Sequence, residues 1–563
     1  MKLLSFFSPK NLLLAFVGLG TALLVVPARP LLAQDSTRPN TDAFHASASF
    51  RKAEEAFKRM HRKQAVSLLR PLATAGDAVA QAMLAECLDD DKATEGEAFT
   101  LYSLSAKQGN AVALCDLGWM YATGSGVKKD AAKSKEWFHQ GLAKLHTDAE
   151  KGDGFARWSL AHWYTSGEGV TKDLKKAFPW YLAAAKQGYV SAQMDTGLLY
   201  EAGKVVPTNA SEAAKWYRLA AEQDYARAQN ALGNCYYHGQ GVKQDYTEAV
   251  KWYRKAAEQG YARALNSLAT CYLRGNGVKK DAAEAAGWFR KAAEQGDALG
   301  QVRLGGLYYS GLGVPKNGSQ AAQWFRKAAD KGYAKGQVAL GACYYQGIGV
   351  PKNVTEAVSW YRKAAEQGNP EAETNVGNFY YSGVGGPKDI KKAVLWYRKA
   401  ADQGYPAALV YLGNCYYSGQ GVEKNPTEAI QYYRKAAEKG SVNGQILMAS
   451  LYYSGKGVEK DLRESVKWFR MAAEQGYAPA QNALGNIYFT GKGAEKDYTA
   501  AVGWYRKAAE QGFAAAQFNF GRCYENGLGV PRESRVALKW YRKSATQGDE
   551  FAVRALKRFA PSQ

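Results

Sequence analysis

Apolar residues follow two helical spacings in alternation along this chain, and the pair of spacings returns every 36 residues. Within residues 225–260, Ala228 and Leu232 lie on one face of a predicted helix, and Trp252 and Ala256 lie on one face of a second. Neither stripe can be buried inside a single helix pair, so copies of the pair must stack against one another. The pattern therefore predicts an all-α repeat structure.

Glycines and capping residues separate the two helices of each copy. Gly239 and Gly241 are placed to end the first helix, because glycine accepts the positive φ of a helix C-terminus and tight turn. Asp245 followed by Glu248 matches a capping box that opens the second helix. Gly260 closes the unit. The sequence thus predicts where each helix begins and ends.

One aromatic position marks the repeat along most of the chain. If each copy is counted from the residue after its Gln-Gly pair, Tyr225 is position 1, and position 28 carries a large aromatic ring in every 36-residue unit. These rings are Trp180, Trp216, Trp252, Trp288, Trp324, Trp360, Trp396, Tyr432, Trp468, Trp504 and Trp540. An unbroken period of this size is typical of solenoid proteins.

The period also divides the chain into segments. Residues 153–548 hold eleven 36-residue units, and residues 77–152 hold two irregular units, the second with seven extra residues after Trp137. Residues 44–76 are predicted to form an N-terminal capping helix pair, and residues 549–563 a C-terminal capping helix.

Two strings from this array, LGNCYYHGQGVKQDYTEAVKWYRKAAEQG and LGACYYQGIGVPKNVTEAVSWYRKAAEQG, resemble Sel1-like repeats, which are relatives of the tetratricopeptide repeat. The resemblance covers residues 77–548. It implies an all-α, right-handed α/α superhelical solenoid of about 36-residue helix-turn-helix units. It also implies an adaptor for protein complexes that uses no cofactor, without naming one activity.

The first 33 residues are predicted to be a signal peptide. Asn11–Val26 is a run of 16 mostly apolar residues after a basic start, and Ala33 precedes polar residues. Cleavage after Ala33 is the favoured interpretation, with an uncleaved anchor as the alternative, and residues 34–43 are then a linker. The run is shorter than the ~20 residues that a spanning helix needs. We therefore expect an exported protein, periplasmic or extracellular, with no stable membrane span after cleavage.

The seven cysteines are predicted to be free. Five of them share position 11, where other repeats carry leucine, phenylalanine or isoleucine, so the position is an apolar core position. These are Cys235, Cys271, Cys343, Cys415 and Cys523. Neighbouring repeats stack ~10 Å apart, which is beyond the ~7 Å limit for disulfide-linked α-carbons.

The chain is strongly basic, with 74 Lys and Arg against 52 Asp and Glu and a net charge of +22. Much of the excess comes from an Arg-Lys pair that recurs in the second helix of most repeats, which is typical of a solvated face. Docking on an anionic cell-envelope polymer is the alternative function that this charge suggests, and nucleic acid is not an expected partner.

The first helix of each unit carries a second stripe, at positions 3, 6, 10, 13 and 14, which is predicted to line a concave groove. Its residues are asparagines at positions 6 and 10, aromatic rings at position 13 and basic residues at position 3. They are Asn230, Asn234, Asn378, Asn414, Asn482 and Asn486, then Tyr237, Tyr309, Tyr345, Tyr381, Tyr417, Tyr453 and Phe489, then Arg227, Arg263 and Lys335.

These side chains suit a groove that holds a peptide segment of a partner protein. Each asparagine amide can both donate and accept hydrogen bonds with a peptide backbone, and tyrosine provides contact area at low entropic cost. The alternative is structural: the tyrosines pack against the next repeat, and the asparagines cap or bridge neighbouring helices.

The sequence favours a protein without catalytic activity. The glycine-rich turns never extend to a phosphate-binding GxxxxGK[ST] string, and the six histidines share no repeat position. Cysteine-rich exported members of the resembled family are linked to β-lactam binding, which makes a β-lactam-binding or hydrolase-like activity a further alternative. Ser49 and Lys52 match SxxK, but no KTG or SDN string accompanies them.

Overall fold

The computed structural model describes residues 47–559, so the predicted signal peptide and linker lie outside the described residues. Within that range the chain forms 29 α-helices and no β-strand. The helices pair in sequence order, and within each compact unit of the fold the helices that follow one another in the chain pack together. The predicted all-α architecture of repeating helix pairs is confirmed.

The helices form two compact units, and the chain passes from the first to the second between Lys316 and Asn317. The first unit contains α1 Ala48–Lys58, α2 Arg62–Thr74, α3 Ala78–Leu88, α4 Glu95–Lys107, α5 Ala111–Thr123, α6 Ala131–Glu150, α7 Gly154–Ser166, α8 Leu174–Lys186, α9 Val190–Ala202, α10 Ala210–Glu222, α11 Ala226–His238, α12 Tyr246–Glu258, α13 Ala262–Arg274, α14 Ala282–Glu294 and α15 Ala298–Ser310. From α3 onward, the odd-numbered helices are the first helices of repeats.

The second unit begins with α16, a second helix, and continues the alternation to the last described helix. It contains α16 Gly318–Asp330, α17 Ala334–Gln346, α18 Val354–Glu366, α19 Pro370–Ser382, α20 Ile390–Asp402, α21 Pro406–Ser418, α22 Pro426–Glu438, α23 Val442–Ser454, α24 Leu462–Glu474, α25 Ala478–Thr490, α26 Tyr498–Glu510, α27 Ala514–Asn526, α28 Ser534–Ala545 and α29 Glu550–Phe559.

The predicted capping residues act at the helix ends. The Asp245 carboxylate accepts hydrogen bonds from the backbone N–H groups of Thr247 and Glu248 at 2.8 and 3.0 Å, which satisfies donors that have no partner within the helix. The Glu248 carboxylate itself pairs with Lys251. Gly239 ends α11 with a φ of +71°, as expected for a left-handed C-cap.

Tight packing of the two helices depends on a missing side chain. A Cβ atom added at Gly233 would lie 2.6 Å from the Tyr253 ring, so α11 and α12 approach each other only because this position is glycine. Tyr253, at position 29, is buried in that contact. The same arrangement recurs between Gly377 and Tyr397 in the second unit.

Successive repeats are joined by a chain of buried glutamines. The Gln229 side chain donates to the Ala221 carbonyl of the preceding repeat at 3.2 Å and accepts from Gln259 at 2.9 Å. The same pair of bonds forms at Gln481 and Gln517. The bonds satisfy the amide of each buried position-5 glutamine and couple each repeat to its neighbour.

The recurring Arg-Lys pair also makes structural contacts. Arg254 donates to the Tyr272 hydroxyl of the following repeat at 2.7 Å. The Lys255 ammonium lies 4.5 Å from the centroid of the Trp252 ring, a cation–π contact. Much of the net positive charge is therefore engaged in packing one repeat against the next and in covering the position-28 rings.

The cysteine prediction is confirmed for the described residues. All seven cysteines are free, and six of them are buried, including the five at position 11. Burial raises the pKa of the Cys235 thiol to about 12, so the group stays protonated at neutral pH. The position-11 cysteines act as small apolar core residues.

No helix between residues 47 and 559 is both long enough and apolar enough to cross a membrane.

Candidate functional site

The predicted site lies on one surface of the first helices, called here the first-helix face. It consists of positions 3, 6, 7, 10, 13 and 14 of each repeat. It is described for each unit separately.

The position-10 asparagines each bond to a buried tyrosine of the second helix. In the first unit the Tyr253 hydroxyl donates to Asn234 Oδ1 at 2.8 Å. In the second unit the equivalent tyrosine–asparagine bonds are Tyr397 to Asn378 and Tyr433 to Asn414, both at 2.8 Å, and Tyr505 to Asn486 at 2.7 Å. Where position 10 is not asparagine the second-helix ring varies: Phe289 and Phe469, which lack the hydroxyl, are matched by Thr270 and Ser450, whereas Tyr361 is matched by Ala342.

The position-10 asparagines thus have a structural role, because a buried hydroxyl without a partner is costly. Their Oδ1 atoms thus bridge neighbouring helices, which is the structural alternative stated for these asparagines. Asn234, Asn414 and Asn486 are nevertheless exposed, so their amide groups also form part of the surface.

The position-6 asparagines differ between the units. Asn230 is 7% exposed, and its Oδ1 has no hydrogen-bond partner among residues 47–559. Asn482 in the second unit accepts a hydrogen bond from the Asn519 side chain of the next repeat at 2.9 Å. Position 6 therefore bridges two repeats at Asn482, whereas at Asn230 it carries an amide oxygen without a hydrogen-bond partner within the described residues.

Several of the position-13 rings pack toward the next repeat. The Tyr237 hydroxyl accepts from Asn276 at 2.8 Å, and Tyr381 donates to Gln420. Tyr345 lies edge-on to Phe379, with ring centroids 5.6 Å apart. Tyr309 is half-buried.

Other position-13 rings lie at or just beneath the surface. Phe489 is half-buried beneath Arg522, whose guanidinium carbon lies 4.5 Å from the ring centroid. Tyr417 and Tyr453 are 38% and 46% exposed, and at position 7 Tyr411 is 38% exposed. The second unit thus presents an aromatic patch, defined here as Tyr411, Tyr417 and Tyr453.

Two acidic residues that the sequence reasoning missed accompany the position-3 cations. Asp195 lies near the half-buried Arg227; burial raises the pKa of the Asp195 carboxyl to about 6, and the Arg227 charge opposes the rise. Burial similarly raises the pKa of the Glu371 carboxyl, and the Lys335 charge opposes this rise. Arg263, by contrast, is exposed. The spacing in the sequence could have revealed Asp195. It lies one helical turn after position 3, in the repeat that precedes the one containing Arg227.

In the first 36-residue repeat, residues 153–188, the first-helix face is covered by the chain itself. Helix α1 lies against α7, where the Phe57 and Phe155 rings meet edge to face with centroids 5.0 Å apart. The Lys58 ammonium lies 5.3 Å from the Tyr189 ring centroid at the start of α9. Phe155 occupies position 3, so α1 covers positions that line the predicted groove elsewhere.

The SxxK match lies at the surface. Ser49 and Lys52 are exposed in the first turns of α1. Within residues 47–559, no three His, Cys, Asp or Glu side chains are grouped so as to hold a metal ion.

Comparison with known proteins gives one consistent result. The model of the Sel1 repeat matches thirteen consecutive copies, at residues 78–110 and 111–144 and in eleven further copies over 154–549. Among solved structures, the chain is similar to c5321, described as a protective antigen present in uropathogenic Escherichia coli strains displaying an SLR fold, with 41% identity. That match covers 73% of this chain and 89% of c5321, with a TM-score of 0.46.

A Sel1 repeat protein from Oxalobacter formigenes is 34% identical over 55% of this chain and 89% of its own, with a TM-score of 0.40. The immunity protein Pa5087 from Pseudomonas aeruginosa is 25% identical over 38% of this chain and 81% of its own, with a TM-score of 0.27. The comparison with curated proteins returned no match.

Proposed function

Because the chain belongs to the Sel1 repeat family, whose members mediate protein–protein interactions, we propose that it is an exported scaffold that binds a peptide segment of a partner protein on its first-helix face. The proposal assigns no catalytic activity to the chain.

The observation that carries the proposal is the position of α1. This helix is separated from α7 by five other helices in the sequence, yet its Phe57 side chain packs on Phe155 of the first-helix face. The face of a first helix in this protein can therefore accept apolar side chains from a distant peptide segment. Where no helix of the chain covers it, a segment of another protein can occupy the equivalent surface.

The aromatic patch of the second unit is the part of that surface best suited to a partner. Tyr411, Tyr417 and Tyr453 belong to two successive repeats, and their rings keep between a third and a half of their area exposed. Exposed tyrosines clustered on one face are enriched at protein interfaces, because they bury a large area while losing few rotamers. The neighbouring Asn414 amide adds hydrogen-bonding capacity.

Export is supported by the sequence of residues 1–33, with its basic start, apolar run and small residue before a polar segment. It is also supported by the description of the 41% identical c5321 as a protective antigen. Cell fractionation of the native host tests this part, and a protein found wholly in the cytoplasm would contradict it.

Site-specific photo-cross-linking in intact cells tests the binding surface. A photoreactive phenylalanine analogue at position 417 or 453 should cross-link to a partner protein. The matched control is position 395, where Leu395 is 58% exposed but lies on the second helix α20. Adducts at 417 and 453 but not at 395 are expected. Equal adducts at all three positions, or none at 417 and 453, would show that the patch is not the binding surface.

A further inference from the structure

Three successive first helices of the first unit carry arginines and no acidic residue. Helices α11, α13 and α15 span residues 226–238, 262–274 and 298–310, and none contains Asp or Glu. Their arginines are Arg227, Arg263, Arg274 and Arg303.

These arginines occupy the first-helix face. Arg227 and Arg263 are at position 3, Arg303 is at position 7 and Arg274 is at position 14. Arg263 and Arg274 are eleven residues apart, about three helical turns, so they extend from the same side of α13. Both are exposed, and the Arg274 guanidinium reaches the Tyr237 hydroxyl of α11 at 3.5 Å.

The nearby acids leave this charge only partly balanced. Asp195 on α9 faces Arg227 alone. Asp297 caps α15, accepting from the Gly300 N–H at 2.6 Å, and also accepts from the Asn266 side chain at 2.8 Å. No ion pair links Arg263 or Arg274 to a carboxylate within residues 47–559.

This charge is not a general consequence of the chain's basic composition. Helices α21, α23 and α25 of the second unit have no charged residue at all. Many of the other cations lie on second helices and are engaged, as Arg254 is with Tyr272 and Lys291 with Trp288.

Amide groups lie beside the arginines. Asn230 and Asn266 are 7% and 5% exposed, and the Oδ1 atom of each has no hydrogen-bond partner in the described part of the chain. These oxygen atoms are themselves buried, so the exposed arginine side chains make the contacts with a bound segment. The choice of a peptide over an anionic polymer rests on the proposed function.

We propose that the first-helix face of α11, α13 and α15 binds an acidic peptide segment, with Arg263 and Arg274 contacting its carboxylates. The inference rests on the proposed function and names the chemistry of the partner's segment. Carboxylates attract a guanidinium through charge-assisted hydrogen bonds, and a cationic face also speeds their encounter.

Fluorescence anisotropy on the full chain tests the proposal with a labelled twelve-residue peptide of alternating Glu and Ser and its Gln-Ser counterpart. The chain should bind the Glu peptide. The double substitution Arg263→Gln and Arg274→Gln should weaken that binding about tenfold, since tenfold corresponds to about 1.4 kcal/mol for two exposed contacts. Failure of the chain to prefer the Glu peptide over the Gln peptide would overturn the proposal.

The matched control removes the same charge from another surface. Lys279 and Lys280 are exposed in the loop that follows α13, so Lys279→Gln with Lys280→Gln lowers the net charge equally. The control should change affinity less than about twofold. Equal weakening by both pairs would mean that net charge alone attracts the peptide. Circular dichroism of both variants establishes that the helices are intact.

Two further measurements distinguish an acidic peptide from an anionic polymer and this inference from the proposed function. Polygalacturonate, a polymer of sugar acids, should compete poorly with the Glu peptide; competition at equal charge concentration would assign the face to an anionic polymer instead. The Arg263→Gln, Arg274→Gln variant should retain cross-linking through Tyr417 and Tyr453. If the unmodified chain fails to prefer the Glu peptide while cross-linking from positions 417 and 453 is intact, this inference fails and the proposed function stands, whereas absent cross-linking contradicts the proposed function itself.

Discussion

The irregular repeats at the N-terminal end and the 36-residue repeats that follow use the same helix pair in different ways. In α5 every residue from Ala111 to Met120 is buried, whereas in α11 the position-3 and position-10 residues reach the surface. The buried residues from Phe50 to Ala192 form one continuous core cluster, while later clusters are confined to about one repeat each. The face is buried at Phe155, where α1 covers it, whereas at Asn234 the equivalent face is exposed.

The extra residues of the second irregular repeat contribute to this continuous core. Helix α6 has 20 residues where its counterparts have 13, and the added length buries Leu145 and Ala149. Phe138 of the same helix packs edge-on against Trp163 with centroids 5.3 Å apart. The insertion therefore extends the helix and enlarges the apolar contact rather than forming a separate loop.

The largest expected effect comes from uncovering the N-terminal region. Phe57→Ala should reduce the stability of that region by about 3–5 kcal/mol, because a buried aromatic ring is lost from the α1–α7 contact. Hydrogen exchange should report faster exchange in α7 and unchanged exchange in α11. If both helices change equally, α1 supports the whole unit rather than covering one part of it.

The second prediction concerns the buried acid where the open face begins. The pKa of Asp195 is raised from 3.8 to about 6, so the folded state binds the proton more tightly than the unfolded state. Stability attributable to this group is full below pH ~4 and is lost as pH rises through ~6.

Asp195→Asn should therefore stabilise the protein by up to about 3 kcal/mol at pH 7.5, and the difference should disappear near pH 4. Calorimetry at both pH values measures it. A destabilised variant at pH 7.5 would show that the Arg227 interaction outweighs the burial cost of the carboxylate.

A smaller effect is expected at the position-10 asparagines. Asn234→Ala should cost about 1–3 kcal/mol, because it leaves the Tyr253 hydroxyl unpaired. Adding Tyr253→Phe should recover most of that loss, as the natural pairing of Phe289 with Thr270 suggests. Denaturant unfolding of the four variants in a double-mutant cycle tests the coupling. If Asn234→Ala leaves the free energy of unfolding unchanged, the position-10 asparagines have no structural role and are again candidates for binding.

The smallest effect on stability is expected on the open face itself. Tyr417→Ala should change the free energy of unfolding by less than about 0.5 kcal/mol, because much of the ring is already exposed. It should nevertheless reduce partner cross-linking from position 453. A large loss of stability would mean that the aromatic patch is part of the core.

The fold was predictable from the sequence because each of its determinants is local and repeated. Gly239 at a left-handed C-cap, Asp245 at an N-cap and Gly233 beneath the Tyr253 ring each act within one helix pair. The period then copies a correct local prediction along the array, and a cysteine that shares its position with leucine can be assigned to the core.

The candidate site was only partly predictable. The sequence named the stripe of positions 3, 6, 10 and 13 as a candidate, but it left open whether Asn234 binds a partner or bridges helices, because its Tyr253 partner lies 19 residues away on the next helix. Asp195 was missed since its partner Arg227 belongs to the following repeat. Contacts between repeats depend on how the helices stack, which one-dimensional spacing does not report.

By itself the sequence determined the helix pairs, their boundaries and the alternation of two faces, since backbone capping and apolar spacing act over a few residues. Only the tertiary structure decided which copies of the first-helix face are buried and which are open. That outcome depends on α1 meeting α7 through Phe57 and Phe155, a contact between residues 98 positions apart in the chain. The sequence does place apolar residues at positions 3 and 6 of the covered repeat, Phe155 and Trp158, where a later repeat has Arg227 and Asn230, but only the folded chain shows that α1 is the element that covers them.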